Sequence, residues 1–153
     1  VVELTALVMR NARKLSVPID TDAAQEIATR SRSTPRVANN RLRWVRDYAT
    51  SRSDGHVTLR IAHEALEMAG IDTAGLDSQD RRYLETLIRV FDGGPAGVEA
   101  IAHTMNTSAD TLEDEVEPFL LRTEFVVRTP RGRTATSKAY QHLQFAAPEK
   151  RLF

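Results

Sequence analysis

Arginine dominates the residues of this chain whose types and spacing could do chemistry. Eight arginines fall between positions 30 and 60, opposed only by Asp47 and Asp54. A second group, Arg122, Arg128, Arg131, Arg133 and Lys138, is opposed only by Glu124. A guanidinium is always charged, and its planar fork matches phosphate bidentately, so anion binding is the chemistry these groups offer. Between them, Asp110, Glu113, Asp114, Glu115 and Glu117 load residues 109–121 with negative charge that phosphates would repel. A nucleic-acid contact would therefore fall to Arg128, Arg131 and Arg133 around the stiff turn Thr129-Pro130-Arg131-Gly132. Contacts to phosphate alone bind without sequence preference and weaken steeply with salt. Read without further context, the same arginines also suit an ordinary solvated face.

A second candidate is Thr34-Pro35-Arg36. Proline at the first helical position, after a Thr N-cap, preorganises a helix start whose free N–H groups favour an anion. Such starts are common and do not by themselves assign a role. Other sites are weaker. His56, His63, His103 and His142 are scattered over different elements, and the chain has no cysteine, so no metal site and no thiol chemistry are expected. Asp77 with Asp80, and Asp114 with Glu117, read as capping and solvated-face residues. Trp44, Tyr48 and Tyr83 read as core or interface residues.

Charges of both signs balance at 21 each over 153 residues, which excludes a globally basic coat protein and an acidic disordered tail. No apolar run approaches the roughly 20 residues of a membrane span, and no signal-peptide core opens the chain. The expectation is a soluble, cytoplasmic protein with no membrane partner. A helical pattern starts at once after Val1, as in a piece of a longer protein.

The elements that must position these residues are mostly helical. Apolar spacing predicts helices over 3–14, 21–30, 35–50 and 59–69, with Pro18 and Gly70 as breakers and Thr58 as a cap. Residues 71–77 have linker composition. Helices follow over 78–91, 98–105 and 109–121, with Gly93-Gly94-Pro95-Ala96-Gly97 a turn. Pro118 marks a bend or a start inside the last of these. Alternation over 125–129 and 133–136 around Pro130-Arg131-Gly132 predicts a hairpin, then a short helix over 137–143. The order helix, turn, helix, helix, hairpin, helix outlines a winged helix-turn-helix. The expected division is a four-helix domain over 1–73, a winged helix over 74–145 and a tail over 146–153.

Five motifs stand in register: Arg32-Ser33-Thr34-Pro35-Arg36-Val37-Ala38-Asn39, Arg46-Asp47-Tyr48-Ala49, Gly93-Gly94-Pro95-Ala96-Gly97, Glu117-Pro118-Phe119-Leu120, and Arg128 to Thr136. Together they resemble the C-terminal two-thirds of the bacterial Holliday-junction branch-migration motors of the RuvB family, over residues 1–143. The resemblance implies a mainly α fold, a small AAA+ lid followed by a winged helix, with the large ATPase domain absent. No G-x-x-x-x-G-K-[ST] phosphate loop occurs, so the chain alone is expected to hold no catalytic residue and to be inactive. It further implies that Arg36 is the sensor 2 arginine and Pro35 borders the nucleoside. ATP or ADP with Mg would be held mainly by the missing domain. The implied partners are duplex DNA at a Holliday junction, five further copies in a homohexamer, and RuvA through the missing domain. Two departures from the family pattern stand out. Ser33 replaces a usual Gly, which costs about 1 kcal/mol if that position needs positive φ. Asn40, Arg41 and Trp44 replace residues usually Arg, Leu and Arg. The alternatives are a winged-helix transcription regulator, against which the acidic 109–121 helix argues, and a protein-binding winged helix with that helix as its face.

Overall fold

The computed structural model describes residues 1–146; the tail expected at 146–153 lies, but for Ala146, outside the described residues. The chain forms two compact units that divide between Asp77 and Ser78, a few residues beyond the boundary expected at 73–74.

The first unit is built from α1 (Val2–Lys14), α2 (Thr21–Thr29), α3 (Pro35–Arg52) and α4 (Leu59–Met68). Each turns an apolar face inward. Val8 and Ala12 of α1, Ile27 of α2, Leu42 and Val45 of α3, and Ile61 and Leu66 of α4 are buried together. Burying each Leu or Ile adds about 1.5–3 kcal/mol. Alanines at positions 12, 23, 24, 28, 38, 49, 62 and 65 fill the rest of that core and let the helices approach closely. A two-residue parallel bridge, Ile19 beside Val57, closes the open end of the helices, with Val57 N–H donating to the Pro18 carbonyl at 2.8 Å. The Thr58 hydroxyl caps α4 at the Ile61 N–H, as expected. Helix α3 runs to Arg52, further than the polar loop at Ser51 suggested. Residues 71–77 are no loose linker: Ile71 and Leu76 are buried.

The second unit carries α5 (Ser78–Arg89) and α6 (Val98–Met105). A composite helix follows: α7 (Ala109–Thr111), a π turn (Leu112–Val116) and α8 (Glu117–Arg122). The hairpin β1 (Val126–Thr129) and β2 (Gly132–Ala135) precedes α9 (Ser137–Leu143). The turn between α6 and the composite helix is set by Asn106, left-handed at φ 56°, and by Ser108, whose hydroxyl accepts from the Thr111 N–H at 3.1 Å. The single helix expected over 109–121 is thus interrupted. Pro118 explains it, because proline lacks the N–H that would reach residue 114 and its ring clashes with that carbonyl, so the preceding turn widens. The hairpin pairs Val126 with Ala135, Arg128 with Arg133 and Thr129 with Gly132. The architecture is mainly α: a four-helix unit, then a winged helix-turn-helix with a two-stranded wing.

Candidate functional sites

The first site grows from the joint between α2 and α3. Arg32 at φ 58° and Ser33 at φ 53° are both left-handed. Each costs an L-residue about 1–2 kcal/mol, so Ser33 stands where glycine would relax the chain. The Thr34 N–H donates to the Ser31 carbonyl at 3.0 Å, and the Ser31 hydroxyl donates to the Ile27 carbonyl. Thr34 is the N-cap by backbone, but its hydroxyl donates to the Arg32 carbonyl at 3.0 Å instead of accepting from the helix. The first turn of α3 therefore keeps its N–H groups free of a side-chain cap, with Pro35 at its first position. Pro35 and Arg36 are exposed, and Arg36 has no side-chain partner among the described residues. Beside them a groove of about 700 Å³ opens between α1, the end of α2 and the start of α3. Its walls are apolar at Leu4, Leu7 and Pro35 and basic at Arg10 and Arg13. Arg36 lies on the helix start next to the groove and is not part of its lining.

Other arginines of the 30–60 cluster turn inward. Arg30, 4% exposed, donates to Glu26 at 2.7 Å and to the Ile71 carbonyl at 3.2 Å. Arg41 is buried and donates to the Gly75 carbonyl at 3.4 Å. Arg32 pairs with Asp77 at 3.7 Å. Gly75 has φ 84°, and a Cβ there would sit 3.0 Å from the Arg30 carbonyl oxygen. The Asp72 carboxylate folds the connector over by accepting from the Ala74 and Leu76 N–H groups, both at 3.0 Å. Three arginines thus hold residues 71–77 to the lid. Arg36, Arg43, Arg52 and Arg60 remain exposed.

The second site is the wing. Its two-residue tip is stiffened by Thr129, whose hydroxyl donates to the Gly132 carbonyl at 2.9 Å and accepts from the Arg131 N–H at 3.3 Å. The base is locked by the Gly-rich turn, which bridges to the second strand at a single residue pair. Ala96 and Arg133 exchange backbone bonds of 3.0 and 2.7 Å, and Ala135 N–H donates to the Gly93 carbonyl at 2.9 Å. Close approach is why glycine is needed: at Gly132, φ 132°, a Cβ would lie 2.5 Å from the Ala96 carbonyl oxygen. At the tip Arg131 is exposed, with no carboxylate partner among the described residues. Arg133 points the other way. It grips Glu117 with Nε at 2.9 Å and Nη2 at 3.1 Å, and its side chain is 14% exposed. Glu117 is 1% exposed and also accepts from the Tyr83 hydroxyl at 2.5 Å. Arg128, 55% exposed, reaches the same carboxylate only at 3.6 Å. Burial, then the bond to Glu117, pushes the Tyr83 hydroxyl far above its ordinary value, and the bond to Glu117 raises Arg133. No group of His, Cys, Asp and Glu able to hold a metal occurs among the described residues, and no helix there is long and apolar enough to cross a membrane.

Two family models match the chain, one after the other. The RuvB AAA lid domain matches residues 1–72 and the RuvB C-terminal winged helix domain matches residues 73–144. The chain belongs to the RuvB family. A Holliday junction branch migration complex subunit RuvB from Rhodopirellula baltica is 61% identical over 98% of this chain and 41% of its own length. The corresponding subunit from Nocardia farcinica is 52% identical over 99% of this chain and 42% of its own. The solved Thermotoga maritima RuvB Holliday junction branch migration motor superposes with a TM-score of 0.90, at 42% identity, over 95% of this chain and 49% of that one. The chain therefore spans about two-fifths of the curated relatives' length.

In this RuvB-family chain Pro35 and Arg36 lie together at one exposed helix start. Arg131 is exposed at the wing tip, while Arg128 and Arg133 share the face that meets Glu117, Arg133 hydrogen-bonded to it and Arg128 held at 3.6 Å. Glu117 and Asp80, both read from sequence as capping or solvated-face carboxylates, are each 1% exposed. The π turn adds a residue to the turn before it and shifts the helical phase by about 100°. A strict 3.6-residue period then places Glu117 outside when it faces Tyr83 and the wing. Its position directly before Pro118 was the available signal.

Proposed function

We propose that this chain is the nucleotide-sensing lid and DNA-gripping module of an ATP-driven branch-migration motor acting on Holliday junctions. Bound ATP with Mg²⁺ supplies the hydrolysable phosphoanhydride, and the chain holds no phosphate loop of its own, so a further domain must complete that site. Within the chain, Pro35 borders the nucleoside and Arg36 offers its fork to the phosphate end. The uncapped N–H groups of α3 and the adjoining groove support this assignment. A lid held by one nucleotide state and released by the other moves the connector 71–77 with it, because Arg30, Arg32 and Arg41 tie that segment to the same joint. Arg131, with Arg128, grips the duplex backbone without reading sequence, and Arg133 positions the hairpin. The functional assembly is a homohexameric ring on duplex DNA that receives the RuvA partner through the further domain.

The observation that carries the DNA reading is the exposed Arg131 on a hairpin tip immobilised from both sides. The test is fluorescence anisotropy of a labelled random duplex against salt. Wild type should bind weakly, indifferently to sequence, and lose affinity steeply between roughly 50 and 200 mM salt. Arg131→Ala should lower the salt slope by about 1. Binding unchanged by Arg131→Ala would refute the wing contact. Absent binding with retained capture of a protein partner would favour the exposed acidic face of Asp110, Asp114 and Glu115 as a protein-docking surface.

A further inference from the structure

The wing contains a competitor for its own cationic side chains. Arg128 and Arg133 are directly opposed across the hairpin, an arrangement of like charges that is unfavourable without an anion between them. Glu117 supplies that anion from below. The match is unequal, because two guanidinium groups share one carboxylate. Arg133 occupies both of its oxygens with hydrogen bonds, and Tyr83 takes a further lone pair. Arg128 is left with an ion-pair distance of 3.6 Å, beyond hydrogen-bond reach, and with more than half of its side chain in solvent.

We propose that Arg128 is a shared arm, held by Glu117 in the free protein and transferred to a DNA phosphate in the bound one, so that Glu117 acts as an internal stand-in for phosphate and weakens the grip. The inference rests on the reading of the wing as DNA-binding. Transfer leaves Glu117 still compensated by Arg133 and Tyr83, so no buried charge is exposed when Arg128 leaves. A grip moderated in this way suits a module that must release and re-engage the backbone repeatedly.

The test is duplex binding by the chain in a double-mutant cycle. Glu117→Gln keeps the side-chain shape and an acceptor for Tyr83 and Arg133 but removes the competing charge. It should tighten binding roughly 3- to 10-fold at low salt, the worth of about one phosphate contact. The gain should vanish in the Arg128→Ala background. Asp114→Asn, which removes an exposed charge from the same composite helix, should give a smaller gain that Arg128→Ala does not abolish. Wild type and Glu117→Gln binding equally, or a Glu117→Gln gain that persists without Arg128, overturns the proposal. Absence of duplex binding in every form overturns the DNA reading itself. Should Glu117→Gln fail to fold, the wild-type guanidinium Nε–H signals decide. Duplex should move the Arg128 signal and leave Arg133 in place, whereas movement of Arg131 alone contradicts the transfer.

Discussion

Two arginine-rich segments that look alike in sequence are used in opposite ways. In the lid, Arg30, Arg32 and Arg41 turn inward onto carbonyl oxygens and Asp77, and what they bind is the chain's own connector. In the wing, one carboxylate fixes Arg133, half-holds Arg128 and leaves Arg131 to the solvent. The difference lies in the available acceptors. The lid's joint, with two left-handed residues and a connector folding back over it, presents the Ile71 and Gly75 carbonyls to Arg30 and Arg41. The wing's arginines meet the buried Glu117 carboxylate. Charge density along the chain therefore does not locate an anion-binding surface; the count of acceptors within reach does.

Substitutions can sharpen this contrast. Arg133→Ala should be the most damaging, destabilising the second unit by about 3 kcal/mol because it strands the Glu117 charge in the interior. Arg131→Ala should shift stability by no more than about 0.5 kcal/mol. Urea melts of the two variants would separate a positioning arginine from a contacting one, and equal effects would erase the distinction.

Two buried tyrosines give a pH signature. Tyr83 and Tyr140 are both raised, chiefly by burial, so the folded chain keeps their protons where the unfolded chain releases them. Their contribution is fully present below the unfolded value of about 10 and is lost as pH rises above it. Stability should fall above about pH 10 by up to 1.4 kcal/mol per unit for each tyrosine, and Tyr83→Phe should remove about half of that slope.

In the lid, the expected effects are smaller. Gly75→Ala should cost about 1–2 kcal/mol, since it forces an L-residue to positive φ against the Arg30 carbonyl. Ser33→Gly should stabilise by about 0.5–1 kcal/mol by relaxing a left-handed residue. Thermal melts check both, and a destabilising Ser33→Gly would show that the serine makes a compensating contribution.

Much of this organisation is legible in the residues. The helices over α3 and α6 are legible from apolar spacing, because an amphipathic segment leaves one face to bury. Ser33 was marked by its departure from the family's usual Gly as a position where positive φ would be costly, and its φ of 53° is that case. What stayed hidden depends on contacts distant in sequence. Glu117 was obscured by the π turn that rotates it inward. Gly93-Gly94-Pro95-Ala96 reads as a turn, and only its bonds to Arg133 and Ala135 show that this turn locks the wing. Residues 71–77 have a linker's composition, yet Leu76 is fully buried under arginines from positions more than thirty residues earlier.

The most direct measurement is amide chemical-shift mapping of the ¹⁵N-labelled chain during titration with a short random-sequence duplex at low salt. We expect the largest shifts at Arg128 to Gly132, fading as salt is added, with the exposed lid arginines at Arg43 and Arg60 unmoved. Shifts concentrated in residues 30–60 with a silent wing would contradict the assignment of the grip to the hairpin.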